Sequence, residues 1–209
     1  MNSAVALRQL IAGAWQPGGG ARFESSSPTS PHVVVAEGAM ADVADVDDAI
    51  GAARCALSGW AAVPIHQRGA VLAAAAVIVE RNADEWGLEL TLEEGKTRAE
   101  GIAEVRRAAQ ILRYYAAEGD RQAGEIFASP RVGERILVTR KPIGVVAAIT
   151  PFNFPIAIPA WKIAPALVYG NTVVWKPASS VPLLAVRLAE ALSDAGLPPG
   201  VLNLMIGDS

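Results

Sequence analysis

The spacing of hydrophobic and polar positions changes several times along this chain of 209 residues. In the first forty residues, short apolar runs at 10–15, 22–25 and 33–36 are separated by turn-forming residues such as Pro17-Gly18-Gly19-Gly20. Short apolar segments bounded by glycine and proline are typical of strands and tight turns. This part of the chain is predicted to form a small antiparallel edge.

A helical pattern follows, from residue 42 to about residue 121, in which apolar side chains recur at three- and four-residue spacing. Pro64 and the Glu94-Gly95-Lys96 sequence interrupt it, and glycine is a common residue just after a helix. The pattern predicts a layer of three or four helices. Its clearest stretches are 43–53, 70–81 and 102–115.

A projecting hairpin is predicted next. Segments 126–128 and 135–140 have the composition of strands, and Arg131-Val132-Gly133 supplies a turn between them.

The most regular pattern lies in the last third of the chain. Apolar runs at 145–149, 172–175 and 201–206 alternate with helical stretches at 156–169 and 182–195. Continuous apolar runs are typical of parallel strands buried on both faces. The predicted fold class is therefore α/β, with an incomplete Rossmann-like parallel sheet in the order β-α-β-α-β, preceded by an N-terminal helical layer and a small antiparallel hairpin.

Two segments of this pattern are candidates for ligand contact, because ligands bind outside the carboxyl ends of strands in open parallel sheets. Thr150-Pro151-Phe152-Asn153-Phe154-Pro155 follows the first run and leads into a helix, whose N-terminal amides are expected to attract an anion. Lys176-Pro177-Ala178-Ser179-Ser180 follows the second run. Asn153 could instead be a turn residue, and Lys176 a solvated lysine. The pattern predicts a nucleotide-type pocket and leaves the reaction open.

Composition and charge argue against several classes of ligand. The net charge is −3, and no block of like charges suits nucleic acid or an anionic membrane. The longest apolar stretch, 70–79, has ten residues, against the roughly 20 needed to cross a bilayer. A single cysteine, Cys55, excludes an intramolecular disulfide framework, and the absence of a signal-like N-terminus favours a cytoplasmic location.

Several familiar motifs are absent from the sequence. It contains no G-x-G-x-x-G, no Y-x-x-x-K pair and no phosphate-binding G-x-x-x-x-G-K-[ST]. His32, His66 and Cys55 show no metal-ligand spacing, so no metal site is expected. Cys55 lies in an alanine-rich helical stretch and is interpreted as a structural residue rather than a nucleophile.

The segment that begins at Pro142, PIGVVAAITPFNFPIAIPAWKIAPALVYGNTVVWKPASSVPL, resembles the core of the NAD(P)-dependent aldehyde dehydrogenase superfamily. The likeness covers most of the chain. It extends through Trp60, Arg68, Glu94-Gly95-Lys96, Glu104, Tyr114-Tyr115 and the downstream sequence AGLPPGVLNLMIG.

This resemblance implies an oxidoreductase that converts an aldehyde to the carboxylate, with a lean towards semialdehydes. Asn153 would donate its side-chain amide to the oxyanion of a thiohemiacetal. The residues lining the nicotinamide-ribose side would be Ile149, Thr150, Pro151 and Phe152. On the adenosine side they would be Lys176, which hydrogen-bonds the ribose, with Ala178 and Ser179. Phe154 and Trp161 would border the aldehyde tunnel.

Ser179 departs from the family pattern, since many NAD-preferring members carry glutamate at this position. A carboxylate there would repel a 2′-phosphate, whereas a serine hydroxyl can hydrogen-bond it. The cofactor is therefore expected to be NADP or NAD, with NADP tolerated or preferred.

The resemblance also implies a division of the chain. Residues 1–122 would form the N-terminal part of the cofactor-binding domain, 123–142 an oligomerisation hairpin, and 143–209 the first half of the Rossmann-like dinucleotide-binding domain. Family members are more than twice as long, and their nucleophilic cysteine and general-base glutamate lie beyond the part matched here. Neither Cys55 nor Glu94 occupies the corresponding motif.

The chain alone is accordingly expected to be inactive in aldehyde oxidation, because no covalent intermediate forms without a thiolate. Its expected partners are the aldehyde and either further copies of itself or a complementary catalytic chain. The alternative is a non-catalytic fragment that binds a nucleotide or pairs with another subunit.

Overall fold

The computed structural model describes residues 4–121 and 124–208, so the boundary predicted at 122/123 lies outside the described residues. The N-terminal strands are β1 (Val5–Ala6), β2 (Gln9–Ile11), β3 (Ala14–Gln16), β4 (Arg22–Ser27) and β5 (Ser30–Ala39). The helices of the following layer are α1 (Val43–Ala62), α2 (Ile65–Arg81), α3 (Ala83–Glu94) and α4 (Arg98–Ala116), and a 3-10 turn (Ala117–Asp120) follows them. The remaining elements are β6 (Gly124–Ala128), β7 (Arg135–Thr139), β8 (Val145–Ile149), α5 (Ala157–Val168), β9 (Thr172–Lys176), α6 (Leu183–Asp194) and β10 (Leu202–Leu204).

The predicted β-α-β-α-β unit is confirmed. Strands β8, β9 and β10 are parallel neighbours in a sheet with the order β3-β2-β10-β9-β8. Gly170 and Gly196 follow α5 and α6 with φ of 84° and 88°, a left-handed conformation that glycine adopts readily. The predicted hairpin is also present, as the antiparallel pair β6–β7.

Helices cover both faces of this sheet. Val174 of β9 packs with Ala49 and Ala53 of α1, whereas Val173 and Trp175 belong to the larger core cluster that contains α5 and α6. Successive side chains of a strand point to opposite faces, so one apolar strand contributes to two cores. The helical layer predicted from residue 42 onwards thus supplies the cover for one face.

Two expectations about the strands are corrected. The first forty residues do not form one antiparallel edge: β2–β3 extends the central sheet, while β4–β5 forms a separate sheet in which β1 is parallel to β5. Burial on both faces holds for β9 but is wrong for β8, where Ala147 and Ile149 are exposed. Strand β8 is the edge of the sheet, and no described residue pairs with its outer side.

Helix α5 is held at both ends by the helical layer. At its amino end, the amides of Ile156 and Ala157 donate to the buried Glu104 carboxylate of α4, at 3.1 and 3.3 Å. At its carboxyl end, the Trp60 indole donates to Leu167 O at 3.0 Å and Arg68 Nε to Val168 O at 2.8 Å. A carboxylate at the amino end and a guanidinium at the carboxyl end both complement the helix dipole.

Helix α6 receives a similar cap. Its first residue, Leu183, donates its amide to the two oxygens of the buried Glu93 carboxyl group, at 3.3 and 3.0 Å. Neither α5 nor α6 has a side-chain cap from the residue that precedes it.

Helices α3 and α4, which carry Glu93 and Glu104, approach each other closely at two glycines. A Cβ on Gly101 would lie 2.4 Å from the Gly87 carbonyl oxygen, so a larger residue does not fit there.

The pKa of the Glu93 side chain is far above its usual value. Burial raises this pKa from 4.5 to about 8, although hydrogen bonds from Ser25 and from the Leu183 amide act in the opposite direction. Between these two pH values the folded protein keeps a proton at Glu93 that the unfolded chain releases, so rising pH favours unfolding. We expect the free energy of unfolding to fall from pH 5 to pH 8 in the wild type, and less so in Glu93→Gln.

Urea unfolding at pH 5, 6.5 and 8 measures this difference. Glu85→Gln is the matched control, because Glu85 is exposed on the same helix, and it should follow the wild type. Parallel pH profiles for wild type and Glu93→Gln would contradict the assignment.

Candidate functional site

The two segments predicted to contact a ligand lie side by side. Ile149, the last residue of β8, pairs with Lys176, the last residue of β9, and the Thr150 amide donates to Lys176 O at 3.1 Å. Because the strands are parallel, both segments leave the sheet at its carboxyl edge, where ligands of open α/β sheets bind.

Asn153 lies in an exposed turn at this edge. Ile149, Phe152 and Phe154 around it are also exposed, with Ile149 at 76%. Among the described residues the Asn153 side-chain amide has no hydrogen-bond partner; only its backbone carbonyl is engaged, by Lys96. An exposed amide without an internal partner is available to donate to a ligand.

Thr150 is arranged differently from its neighbours. Its side chain is buried, and its hydroxyl oxygen accepts a hydrogen bond from the Trp175 indole at 2.9 Å. Of this residue, only the backbone can face the crevice. The hydroxyl instead fixes the start of the turn to the strand beside it.

The expectation that the amides at the start of α5 attract a ligand anion is wrong. The Glu104 carboxylate already accepts from the Ile156 and Ala157 amides, and its side chain is 2% exposed. A protein carboxylate therefore occupies the place that an anionic ligand would take. These two amides are therefore not free to donate to a charge that develops on a ligand near Asn153.

Lys96 connects Glu104 to the turn. Its Nζ lies 2.5 Å from Glu104 Oε2, 2.8 Å from Glu94 Oε2 and 3.3 Å from the Asn153 carbonyl oxygen, and 4.8 Å from the centre of the Phe154 ring. Burial alone would lower the pKa of Lys96, but the bonds and charges of both carboxylates outweigh it and raise the pKa above its usual value. Lys96 therefore stays charged and holds the turn.

The supporting role of Glu104 could have been noticed in the sequence, but the hydrophobic period alone did not reveal it. Glu104 occupies an interior position of the apolar face of α4, among Gly101, Val105 and Ala108. A charged residue at such a position requires a buried partner. The sequence shows the anomaly, whereas the partners, at residues 96, 156 and 157, follow only from the fold.

Lys176 and the residues after it leave the sheet at the same carboxyl edge, beside the Asn153 turn. The Lys176 ammonium donates to Gly207 O at 3.1 Å, and its side chain is half-buried, as are Ala178 and Ser179. Gly207 follows β10, so the ends of three neighbouring parallel strands converge here. An ammonium group has three donors, which leaves capacity for a bound hydroxyl.

Phe154 and Trp161 lie on a different side of the turn. Phe154 lines a pocket of about 340 Å³ between α4 and the start of α5. The Trp161 ring stacks edge-on against Tyr115, with ring centres 5.8 Å apart, and Arg107 lies over it at 5.5 Å. Of the two residues predicted to border a tunnel, Phe154 lines this pocket, and Trp161 contacts it only through Arg107, which is also part of the lining.

Cys55 is exposed on α1, beside Ala12, Pro199 and Gly200. Gly200 precedes β10, so this cysteine lies at the amino edge of the parallel strands, opposite Asn153. Within residues 4–121 and 124–208, no group of three His, Cys, Asp or Glu side chains could hold a metal ion.

No single helix in the described parts of the chain is long and apolar enough to span a bilayer. Helices α1 and α2 reach the necessary length and apolar composition only when taken together, and the chain bends by 115° between them.

The sequence of this chain is similar to a known protein family and to characterised relatives. The model of the aldehyde dehydrogenase family matches residues 15–209. The 2,5-dioxopentanoate dehydrogenase of Saccharolobus solfataricus is 41% identical over 199 residues, which cover 95% of this chain and 42% of that protein. The chain therefore spans about two fifths of the length of this relative.

Two solved structures resemble the fold closely. An aldehyde dehydrogenase from Brucella melitensis biovar abortus 2308 gives a TM-score of 0.94 at 36% identity, covering 100% of this chain and 44% of that one. PnpE in complex with nicotinamide adenine dinucleotide gives 0.91 at 33% identity, covering 97% and 42%.

The Glu104 cap generates a prediction about stability. Glu104→Ala should lower the free energy of unfolding by roughly 3–5 kcal/mol, because it leaves a half-buried ammonium and two buried amides without their acceptor. Urea unfolding followed by tryptophan fluorescence measures this loss. Adding Lys96→Met should recover part of it, since the unpaired charge is removed.

Glu80→Ala is the matched control. Glu80 also forms ion pairs with α4, through Arg106 and Arg113, but all three side chains are at least 40% exposed. Such pairs contribute about 0–1 kcal/mol. Equal losses for the Glu80 and Glu104 variants would contradict the role given to the buried cap.

Proposed function

Because the chain belongs to the aldehyde dehydrogenase family, we propose that it forms the cofactor-binding portion of an enzyme that oxidises an aldehyde or semialdehyde to the carboxylate with NAD(P)+. The observation that carries this proposal is the exposed Asn153 amide, which has no other partner among the described residues, at the carboxyl edge of the parallel sheet. When a thiolate attacks an aldehyde, negative charge develops on the carbonyl oxygen, and a prepositioned donor stabilises it.

Asn153 is the oxyanion donor in this proposal. Lys96 holds its backbone carbonyl, and Glu104 holds both Lys96 and the first amides of α5. The side-chain amide is thus presented from a turn that is fixed on both sides. Such preorganisation matters because a donor that must first be ordered stabilises the transition state less.

The convergence of three strand ends supports a dinucleotide site. Ile149, Pro151, Phe152 and the Thr150 backbone would face the nicotinamide ribose. Lys176 would donate to a ribose hydroxyl, with Ala178 and Ser179 beside it on the adenosine side. When bound, the cofactor accepts the hydride that leaves the oxidised carbon. The residues of this chain bind and orient it.

The nucleophile and the general base are proposed to come from residues beyond these 209, in the same polypeptide or in a complementary chain. Cys55 is a poor candidate because it lies at the opposite edge of the sheet from Asn153. A five-residue strand separates these edges by roughly 13 Å, at about 3.3 Å per residue. A thiolate at one edge cannot attack a carbonyl bound at the other.

Pairing with another chain is favoured by the β6–β7 hairpin. Its apolar side chains are exposed on both strands, with Ile126 at 70% and Leu137 at 65%. Exposed apolar strands are typical of association surfaces. We propose that the hairpin contacts a further copy of the chain or a complementary catalytic chain. A fragment that binds a nucleotide and pairs without catalysis is the second candidate, supported by the same exposure.

The purified chain provides a direct test of the proposal that the nucleophile and the general base lie outside these 209 residues. With succinate semialdehyde and NADP+, we expect no turnover above background from residues 1–209, because no thiolate is placed near Asn153. The measurement is NADPH absorbance over time. Turnover that disappears in Cys55→Ser would overturn this assignment, and Cys55→Ala serves as a second variant to exclude an effect of the serine hydroxyl.

The cofactor proposal is tested at Ser179. In a protein that joins residues 1–209 to the remaining part of the Saccharolobus relative, we expect kcat/KM with NADP+ to equal or exceed that with NAD+. Ser179→Glu should lower the NADP+ value by roughly 10- to 100-fold through repulsion of the 2′-phosphate. Ser180→Glu, one residue further on and exposed, is the control. A strong preference of the unsubstituted protein for NAD+ would contradict the proposal that Ser179 allows NADP+ to bind.

A further inference from the structure

Gln9, the first residue of β2, is a fully buried polar side chain far from Asn153 in the sequence. Its amide nitrogen donates to Ala39 O at 2.8 Å and to Ile206 O at 3.3 Å, and its amide oxygen accepts from the Ile206 backbone N–H. Ala39 is the last residue of β5, and Ile206 follows β10 by two residues. The Gln9 side chain therefore binds the main chain where two strands end.

These bonds begin where the hydrogen-bonded pairing of β10 stops. Strand β10 ends at Leu204, which is paired with Leu10 of β2. Ile206 lies beyond that pair and is fully buried, and buried backbone groups require partners. Gln9 exchanges two hydrogen bonds with Ile206, as two opposite residues do in an antiparallel ladder. Its side chain thus takes the place of a backbone partner beyond the end of the strand.

A second contact holds Ile206 from the other side. The amide of Ala41, which lies between β5 and α1, donates to Ile206 O at 2.7 Å. Gln9 and Ala41 together fix one peptide between the N-terminal sheet, the central sheet and the helical layer. The end of β10 is consequently anchored by residues from the first part of the chain.

The residue after this anchor contacts Lys176. Gly207 O accepts from the Lys176 ammonium at 3.1 Å, and a longer bond of 3.4 Å goes to Pro177 O. A glycine backbone is conformationally permissive, so the position of the Gly207 carbonyl depends on the anchored residue before it. With two of its three donors directed to these carbonyls, the ammonium has one donor left for a ligand.

We propose that Gln9 is a positioning residue of the dinucleotide site, which orients Lys176 through the backbone of Ile206 and Gly207. This inference rests on the proposed function, in which Lys176 donates to a ribose hydroxyl. Gln9 does not touch the cofactor. It increases affinity because a lysine that is already ordered loses less conformational entropy when the cofactor binds.

Asn203 provides a matched control in β10 itself. It is also a fully buried amide side chain, which accepts from the Ala12 amide at 2.9 Å and donates to Gly200 O at 2.8 Å. Ala12 lies in the turn between β2 and β3, and Gly200 precedes β10. Gln9 and Asn203 therefore tie the same hairpin to opposite ends of β10, and only Gln9 acts at the carboxyl edge.

The first experiment measures the reactivity of Lys176 in the 209-residue chain. Trace acetylation with acetic anhydride, followed by peptide mass spectrometry, gives a rate for each lysine, and the exposed Lys141 and Lys162 are internal references. In the wild type, Lys176 should react more slowly than both references. Gln9→Met keeps the length of the side chain and removes the amide, and it should raise the relative rate of Lys176 roughly tenfold, as expected for loss of one hydrogen bond to a charged group.

Asn203→Leu should leave the relative rate of Lys176 unchanged. An equal increase in Asn203→Leu and Gln9→Met, or no increase in Gln9→Met, would overturn the positioning role. The wild type alone is also decisive: if Lys176 reacts as fast as Lys141 and Lys162, it is not held, and the proposal fails even where Gln9→Met does not fold.

The second experiment asks whether Gln9 acts through Lys176. NADP+ is titrated calorimetrically into the wild type, Gln9→Met, Lys176→Met and the double variant. Gln9→Met should weaken binding roughly tenfold in the wild type and cause no further loss in the Lys176→Met background, because the interaction it supports is already absent. Asn203→Leu should bind as the wild type does.

The outcomes separate this inference from the proposed function. Additive losses in the double variant, or equal weakening by Asn203→Leu and Gln9→Met, would overturn the role of Gln9. If the wild type does not bind NADP+, the proposed function fails, whereas Gln9-dependent protection of Lys176 from acetylation would still support the control of that lysine by Gln9.

Discussion

The buried carboxylate of Glu104 is the interaction on which the site depends. It accepts hydrogen bonds from the Ile156 and Ala157 amides at the start of α5 and pairs with Lys96. Lys96 in turn donates to the Asn153 carbonyl oxygen. One side chain of the helical layer thereby sets both the start of a helix and the path of the turn before it. Transferring a charged group from water to the protein interior costs free energy, so a buried carboxylate is stable only when all its partners are present. Helix position and turn geometry are consequently coupled.

The same principle explains how the helical layer and the sheet form one unit. Arg68 and Trp60 bind the carbonyls at the far end of α5, and Glu93 caps α6. Caps supplied by distant residues, rather than by the residue before each helix, make the two parts of the chain mutually dependent. The helical layer therefore positions the crevice as well as covering the sheet.

The parallel arrangement of the strands separates the functional groups into two edges. Asn153 and Lys176 follow strands and share the carboxyl edge, whereas Cys55 lies near the turn that precedes β10. On the far side of the Asn153 turn, α4 and α5 enclose an apolar pocket with Arg107 at its rim. The Asn153 turn thus separates the carboxyl edge of the sheet from this pocket, because it lies between the sheet and the helical layer.

The sequence by itself determined the α/β class, the three parallel strands, the hairpin and the two segments that leave the carboxyl ends of β8 and β9, because the hydrophobic period and the positions of glycine are local properties. The resemblance of residues 142 onwards identified the family. Only the tertiary structure decided that β8 is an edge, that β2–β3 joins the central sheet, and that Thr150 faces the core. It also decided that the amides of α5 are occupied by Glu104 and that Arg107 has no acidic partner among the described residues. These features depend on contacts between residues far apart in the chain, and a charged side chain does not reveal its partner until the fold brings the two together.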